Sequence, residues 1–248
     1  MRRTSMSPPS LFPALFPGLT IVGPYQIRWY RNRMSPGVKG RRTYHSPRRR
    51  EQARVTRRAI LEGARQLFVQ DGYVATTIEA IADRAHVSPE TVYATFKKKR
   101  SILSALIDVS IAGDDVATPI LERDWVRELR DAQDRRVRLR ILARNGRLIL
   151  ERMAPIYGVL LGAAAADAEI ASILAGYKAQ RFVGQQALLR LVTKDDPLRD
   201  GLSARAAADI LFTIGSPETY ATLVIDRGWS ADRFEGWYAD TLARLFFG

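Results

Sequence analysis

An all-α fold is what this sequence predicts, and three observations carry the prediction. From Ser46 to the C-terminus apolar residues recur at helical spacing, and no stretch alternates with period two long enough to make a confident strand. Residues with capping or stopping chemistry fall between the periodic segments: Ser46-Pro47, Asp71-Gly72, Thr76-Thr77, Ser88-Pro89, Pro155, Asp195-Asp196-Pro197 and Gly215-Ser216-Pro217. Three helices crowd into residues 46–96, the second and third parted only by a tight turn. The implied order is an extension over 1–45, a three-helix unit over 46–100 and a larger helical domain over 101–248.

The extension holds six prolines between Pro8 and Pro36, with Gly18, Gly23, Gly37 and Gly40, and keeps no helical or strand period. It is expected to be disordered, and 1–33 reads as a stretch upstream of a start at Met34. The apolar run from Leu11 to Val22 is broken by Pro13 and Pro17 and is too short to span a bilayer. Arg2 and Arg3 precede it without a clean small-x-small cleavage site, so neither export nor a membrane is expected.

The first helix begins at the Ser46-Pro47 cap and runs to about Gln70, with Val55, Ala59, Ile60, Ala64, Leu67 and Phe68 on one stripe. Asp71-Gly72 stops it, glycine being the residue that tolerates the left-handed turn. Thr76-Thr77 opens the second helix, Thr76 and Glu79 having capping-box spacing. Its apolar face is Ile78, Ile81, Ala82 and Ala85. Ser88-Pro89 opens the third, which reaches Phe96. Further helices are expected over 101–112, 134–153, 155–165, 167–193, 203–215, 217–227 and 230–247, with an irregular region around Thr118-Pro119.

Charge says where a partner belongs. Residues 1–58 hold 14 Lys+Arg against Glu51 alone, while the remaining 25 bases and 25 acids of 59–248 cancel. A neutral body with a basic arm suits a nucleic acid or an anionic surface. Function classes fall away on composition. With no cysteine there is no disulfide, thiolate metal site or cysteine nucleophile, and two histidines (His45, His86) cannot build a multi-histidine centre. No nucleophile–base pair has credible spacing, so neither an enzyme nor a cofactor is expected. His86 reads as structural.

The second and third helices form a helix-turn-helix. The third presents Pro89, Glu90, Thr91, Tyr93, Ala94 and Thr95 outward, small and hydrogen-bonding groups of the kind that enter a major groove. Lys97, Lys98, Lys99 and Arg100 follow where a phosphate strand would pass. Arg48, Arg49 and Arg50 form a basic arm placed to enter or flank the minor groove. Bland alternatives are a packing role for Tyr93, a merely solvated helix end at Lys97–Arg100 and a disordered solubilising tail at Arg48, Arg49 and Arg50.

The string Thr76 to Leu103, T-T-I-E-A-I-A-D-R-A-H-V-S-P-E-T-V-Y-A-T-F-K-K-K-R-S-I-L, resembles the DNA-binding domain of TetR-family transcriptional regulators. The detailed likeness covers roughly residues 54–107. It implies an all-helical homodimer in the cytoplasm, nucleoid-associated, that binds double-stranded operator DNA and releases it when a small molecule occupies the C-terminal domain. It also implies backbone contacts for Thr77, Thr91, Tyr93 and Lys99, and base contacts for Pro89, Glu90 and Thr95. One departure is His86, which stands where the family most often has glycine in the turn.

In the second domain, polar residues on apolar stripes are candidate anchors for a small apolar or amphipathic ligand. These are Asn145 in 134–153, and Tyr177, Arg181 and Gln185 in 167–193, the alternative for each being a hydrogen bond to one another or to water. Trp125, Met153, Tyr157 and Phe182 read as core. The last helices are heavily aromatic, and the family resemblance makes them a dimer interface of Tyr220, Leu223, Phe234, Trp237, Tyr238, Leu242 and Leu245, the alternative being packing within the chain. The competing readings are an architectural or division-linked DNA-binding protein of the same fold without a pocket, and an enzyme built on 115–248.

Overall fold

The computed structural model describes residues 47–116 and 118–248; the expectations about the extension and the Ser46 cap lie outside them. Among the described residues every regular element is helical, as the patterning predicts. Helix α1 spans Pro47–Ala75, α2 Ile78–Arg84, α3 Pro89–Phe96 and α4 Lys99–Ala112. A 3-10 turn at Ile120–Glu122 leads to α5, Asp124–Asp131. Then come α6, Arg135–Ala164; α7, Ala168–Val192; α8, Ala204–Ile214; α9, Pro217–Tyr220, which widens into a π-helical stretch at Ala221–Asp226; and α10, Ala231–Phe247.

Local chemistry places the first elements. Gly72 takes φ 82° and breaks the helical dihedrals of α1 at the expected stop. The cap of α2 differs from expectation by one residue. Thr77 is the N-cap, its Oγ1 accepting from the Ala80 N–H at 3.1 Å. Thr76 is instead buried, donating its hydroxyl to the Gly72 carbonyl. Ser88 caps α3 with proline at its first turn, as the Ser-Pro pair requires. Between them His86 has φ 54°, a left-handed conformation that glycine would adopt without strain.

Three expectations about the larger domain are corrected. Pro155 does not divide α6, which runs through it as one 30-residue helix. A proline inside a helix costs about 3 kcal/mol. Its flanking residues Met153, Ala154, Ile156 and Tyr157 are all buried, and each large apolar side chain returns roughly 1.5–3 kcal/mol. The segment 217–227 is not uniformly α-helical but opens into the wider π winding after Tyr220. α5 was unanticipated; it buries only Val126 and Leu129 and is otherwise charged or polar apart from Trp125.

Two apolar cores result. One joins α1–α4 to the C-terminal half of α6 and the start of α7, through Phe68, Ile81, Leu103, Ile156, Leu160 and Ile170. The other joins the N-terminal half of α6 to α8, α9 and α10, through Leu142, Leu211, Phe234 and Phe246. Arg138 is fully buried beside the second core. Its guanidinium donates to the carbonyls of Val192, Ala132 and Gln133 at 3.0–3.1 Å and pairs with Asp195 and Asp196.

Candidate nucleic-acid interface

The packing of α2 against α3 fixes the outward face of α3. Val92 and Phe96 are buried, so Glu90, Tyr93 and Ala94 point to solvent, with Pro89, Thr91 and Thr95 half-buried at the edge. Tyr93 is 48% exposed, which removes the packing alternative. Glu90 carries a full charge: its own backbone N–H and the Ser88 hydroxyl hold its carboxyl below the ordinary range. Such a carboxylate can accept from a base amine at a helix N-terminus.

The hydroxyls along this surface are partly committed, some keeping a proton to donate and one keeping a lone pair to accept. Thr77 Oγ1 accepts the Ala80 N–H, which leaves its own proton to give. Thr91 pairs with Ser88, oxygen to oxygen, at 3.2 Å. Thr95 donates to the Thr91 carbonyl at 2.8 Å, keeping a lone pair for an incoming donor. Lys97 is exposed and has φ 64°, a strained conformation at the end of α3.

Lys99 is placed differently from the expectation of a direct phosphate contact. Its Nζ lies 2.7, 3.3 and 2.8 Å from the carbonyls of Tyr73, Val74 and Thr76, and 4.4 Å from the Tyr73 ring centroid. All three ammonium protons are engaged, and the charge closes the α1–α2 junction from behind. Its own helix supplies none of these acceptors, so spacing could not reveal them.

A groove missing from the sequence reading lies beside α3. It is open, about 580 Å³, and lined by Arg49, Gln52, Ala53, Thr56 and Arg57 of α1 with Thr91 and Thr95 of α3. The α1 residues recur at the three- and four-residue spacing of one helix face, a signal obscured by the arginine run before them. Arg57 ties α1 to its neighbours here. It stacks on Phe96 with its guanidinium carbon 4.6 Å from the ring centroid, and its Nε donates to Asp115 at 3.0 Å. Arg48, Arg49 and Arg50 belong to the first turn of α1, so the basic arm is helical from Pro47 onward.

Of the expected ligand anchors, three come together and one does not. Tyr177, Arg181 and Gln185 occupy consecutive turns of α7. Arg181 donates to the carbonyls of Phe212 and Gly215 at 2.8 and 3.0 Å and stacks on the Phe212 ring at 3.7 Å. Gln185 donates to Gly215 at 3.2 Å. Burial pushes the Tyr177 hydroxyl up to about 12, so it stays a neutral donor. Asn145 instead donates to the Ile141 carbonyl of its own helix. Tyr157, read as core, is buried, yet its hydroxyl donates to exposed Glu218.

The expected dimer face is corrected for four residues. Tyr220, Phe234, Tyr238 and Leu242 are buried within the chain, Phe234 and Leu242 completely. Tyr220 and Tyr238 pack on Phe234 with ring centroids 4.9 and 5.8 Å apart, and Leu242 lies in the same core, because α10 turns this face onto α6 and α9. Leu223, Trp237 and Leu245 stay partly exposed.

Residues 60–106 match the model of the family described as bacterial regulatory proteins, tetR family. Over 54 residues the chain is 44% identical to the uncharacterized HTH-type transcriptional regulator YvkB of Bacillus subtilis (strain 168), a stretch that is 22% of this chain and 29% of that protein. The chain thus spans under a third of that relative's length. Its fold is similar to that of NalD, the secondary repressor of the MexAB-OprM multidrug efflux pump in Pseudomonas aeruginosa, with TM-score 0.57 and 20% identity over 79% of this chain and 98% of that one. It is also similar to the transcriptional regulator FadR from Bacillus subtilis in complex with stearoyl-CoA, with TM-score 0.56 and 17% identity over 75% and 96% of the two chains. Among the described residues no helix is long and apolar enough to cross a membrane, and no three His, Asp or Glu side chains cluster to hold a metal ion. Residues 60–106 thus match the tetR family of bacterial regulatory proteins, and the chain is similar in fold to solved transcriptional regulators.

Proposed function

We propose that this protein is a homodimeric repressor that reads operator DNA with α3 and leaves it when a small molecule enters the helices of the larger domain. The observation that carries the reading is the single face made by Arg49, Gln52, Thr56 and Arg57 of α1 with Thr91 and Thr95 of α3. In this reading Glu90 and Thr95, with Pro89, meet base edges, and Thr77, Thr91, Tyr93 and Lys97 meet phosphates. Lys99 adds charge and holds the junction that presents them. The first turn of α1 carries three arginines, a concentration of positive charge that suits a phosphate strand.

One recognition helix covers only a few base pairs, so two copies are needed for useful specificity. The second copy is expected against the outer side of the last two helices, where Leu223, Trp237 and Leu245 are half-buried and Ile225 is 59% exposed. NalD, a repressor, and FadR, with its bound acyl-CoA, support repression and ligand response by likeness of fold.

Binding-site selection tests the reading. The wild-type chain should enrich a palindromic sequence. Tyr93→Phe should weaken binding to all sequences alike, whereas Glu90→Ala and Thr95→Ala should shift base preference by roughly 1–3 kcal/mol at one position of each half-site. Selection that enriches no sequence would overturn it in favour of an architectural role.

A further inference from the structure

Around Arg181 the larger domain leaves two polar atoms buried without a hydrogen-bond partner: the Nε–H of Arg181, a donor, and Oε1 of Gln185, an acceptor. Gln185 cannot satisfy Oε1 by turning its amide over, because its Nε2 already faces the carbonyls of Leu211 and Gly215. The pair stands one helical turn apart on α7, with Tyr177 one turn before. No carboxylate among the described residues forms an ion pair with Arg181; its partners are the two backbone carbonyls at the end of α8. Burial lowers its pKa from the ordinary value against the pull of Tyr177 and Glu218, and the guanidinium remains charged. Phe182 and Phe212, edge to face at 5.5 Å and both partly exposed, supply an apolar wall beside it.

We infer that this cluster is a binding site for an apolar carboxylic acid that carries a hydroxyl or N–H donor close to its carboxylate. The carboxylate meets Arg181, where the unmatched charge and the free Nε–H both call for an acceptor anion. The neighbouring donor meets Gln185 Oε1, and the apolar body lies on Phe212 and Phe182. Glu218, the acid on this side, has an oxygen engaged by the Tyr157 hydroxyl and projects to solvent, which leaves the Arg181 side for the anion. Capping α8 accounts for two of the Arg181 contacts but for neither orphaned atom. The inference rests on the proposed ligand response and names the chemistry of the ligand.

The test uses three probes that share one body: 3-phenyllactate, 3-phenylpropanoate and 3-phenylpropan-1-ol, each titrated calorimetrically into the full chain without DNA. Phenyllactate should bind most tightly, phenylpropanoate about tenfold more weakly, and the alcohol about a hundredfold more weakly, as loss of one neutral and then one charged hydrogen bond requires. Gln185→Leu should erase the advantage of the hydroxy acid yet keep the preference for acid over alcohol. Arg181→Met should erase the acid preference, with Arg181→Lys restoring part of it; far-UV circular dichroism checks that α8 survives. Equal binding of acid and alcohol, or binding of none of the three, overturns the inference even if operator DNA is bound and released by another compound. Tight acid binding that leaves operator affinity unchanged upholds the site and removes the proposed ligand-released repression.

Discussion

Arg138→Met is expected to cost about 3–5 kcal/mol of folding stability, the range seen when one partner of a buried ion pair is removed. The methionine keeps the aliphatic stem but strands the carbonyls of Val192, Ala132 and Gln133, all of which the guanidinium now serves. The loss belongs at the lower end of the range, because the Asp195 side chain is 55% exposed and can recover water. For the same reason Asp195→Asn should cost under about 1 kcal/mol. Chemical denaturation of the two variants measures both numbers. An Arg138→Met protein within 1 kcal/mol of wild type would show that the guanidinium does not hold the α5–α6 and α7–α8 loops together.

Leu242→Asp should destabilise the whole folded unit rather than yield a folded monomer. Leu242 is fully buried among Phe234, Tyr238 and Phe246, so the substitution places an unpaired carboxylate in an aromatic core. The cost exceeds about 4 kcal/mol, a large share of the stability of a typical domain. Ile225→Asp puts the same charge on an exposed position and should leave thermal unfolding within about 0.5 kcal/mol of wild type at low protein concentration. In sedimentation, Ile225→Asp is the variant that should shift the proposed dimer toward monomer. A soluble, cooperatively folding Leu242→Asp chain would contradict the burial of this face.

The elements legible in the sequence were those whose signals are local. Gly72 breaks α1 and Ser88-Pro89 starts α3 where expected, because a cap or a break depends on residues three or four positions away. What escaped depends on residues far along the chain. Lys99 looks like any basic helix start until the carbonyls of Tyr73 and Thr76, over twenty positions earlier, are brought beneath it. Arg138 reads as a surface residue until the loop at Asp195-Asp196 reaches it. α5 has too few apolar residues to register, and Pro155 reads as a break because only the surrounding core makes its cost bearable. For the interface expected on α10, aromatic richness is a poor guide, because Phe234, Tyr238, Leu242 and Phe246 turn inward while Trp237 and Leu245 stay partly exposed.

The unbroken passage of α6 through Pro155 has a further consequence. One rod supplies side chains to both apolar cores, and α7 does the same through Ile170 and Tyr177 at one end and Leu189 and Val192 at the other. Neither core can come apart without exposing half of each rod. The helix-turn-helix therefore has no melting point of its own. Calorimetry should trace a single endotherm for α1–α10, with van't Hoff and calorimetric enthalpies agreeing for the folded unit, and two resolved peaks would mean that the rods part at Pro155.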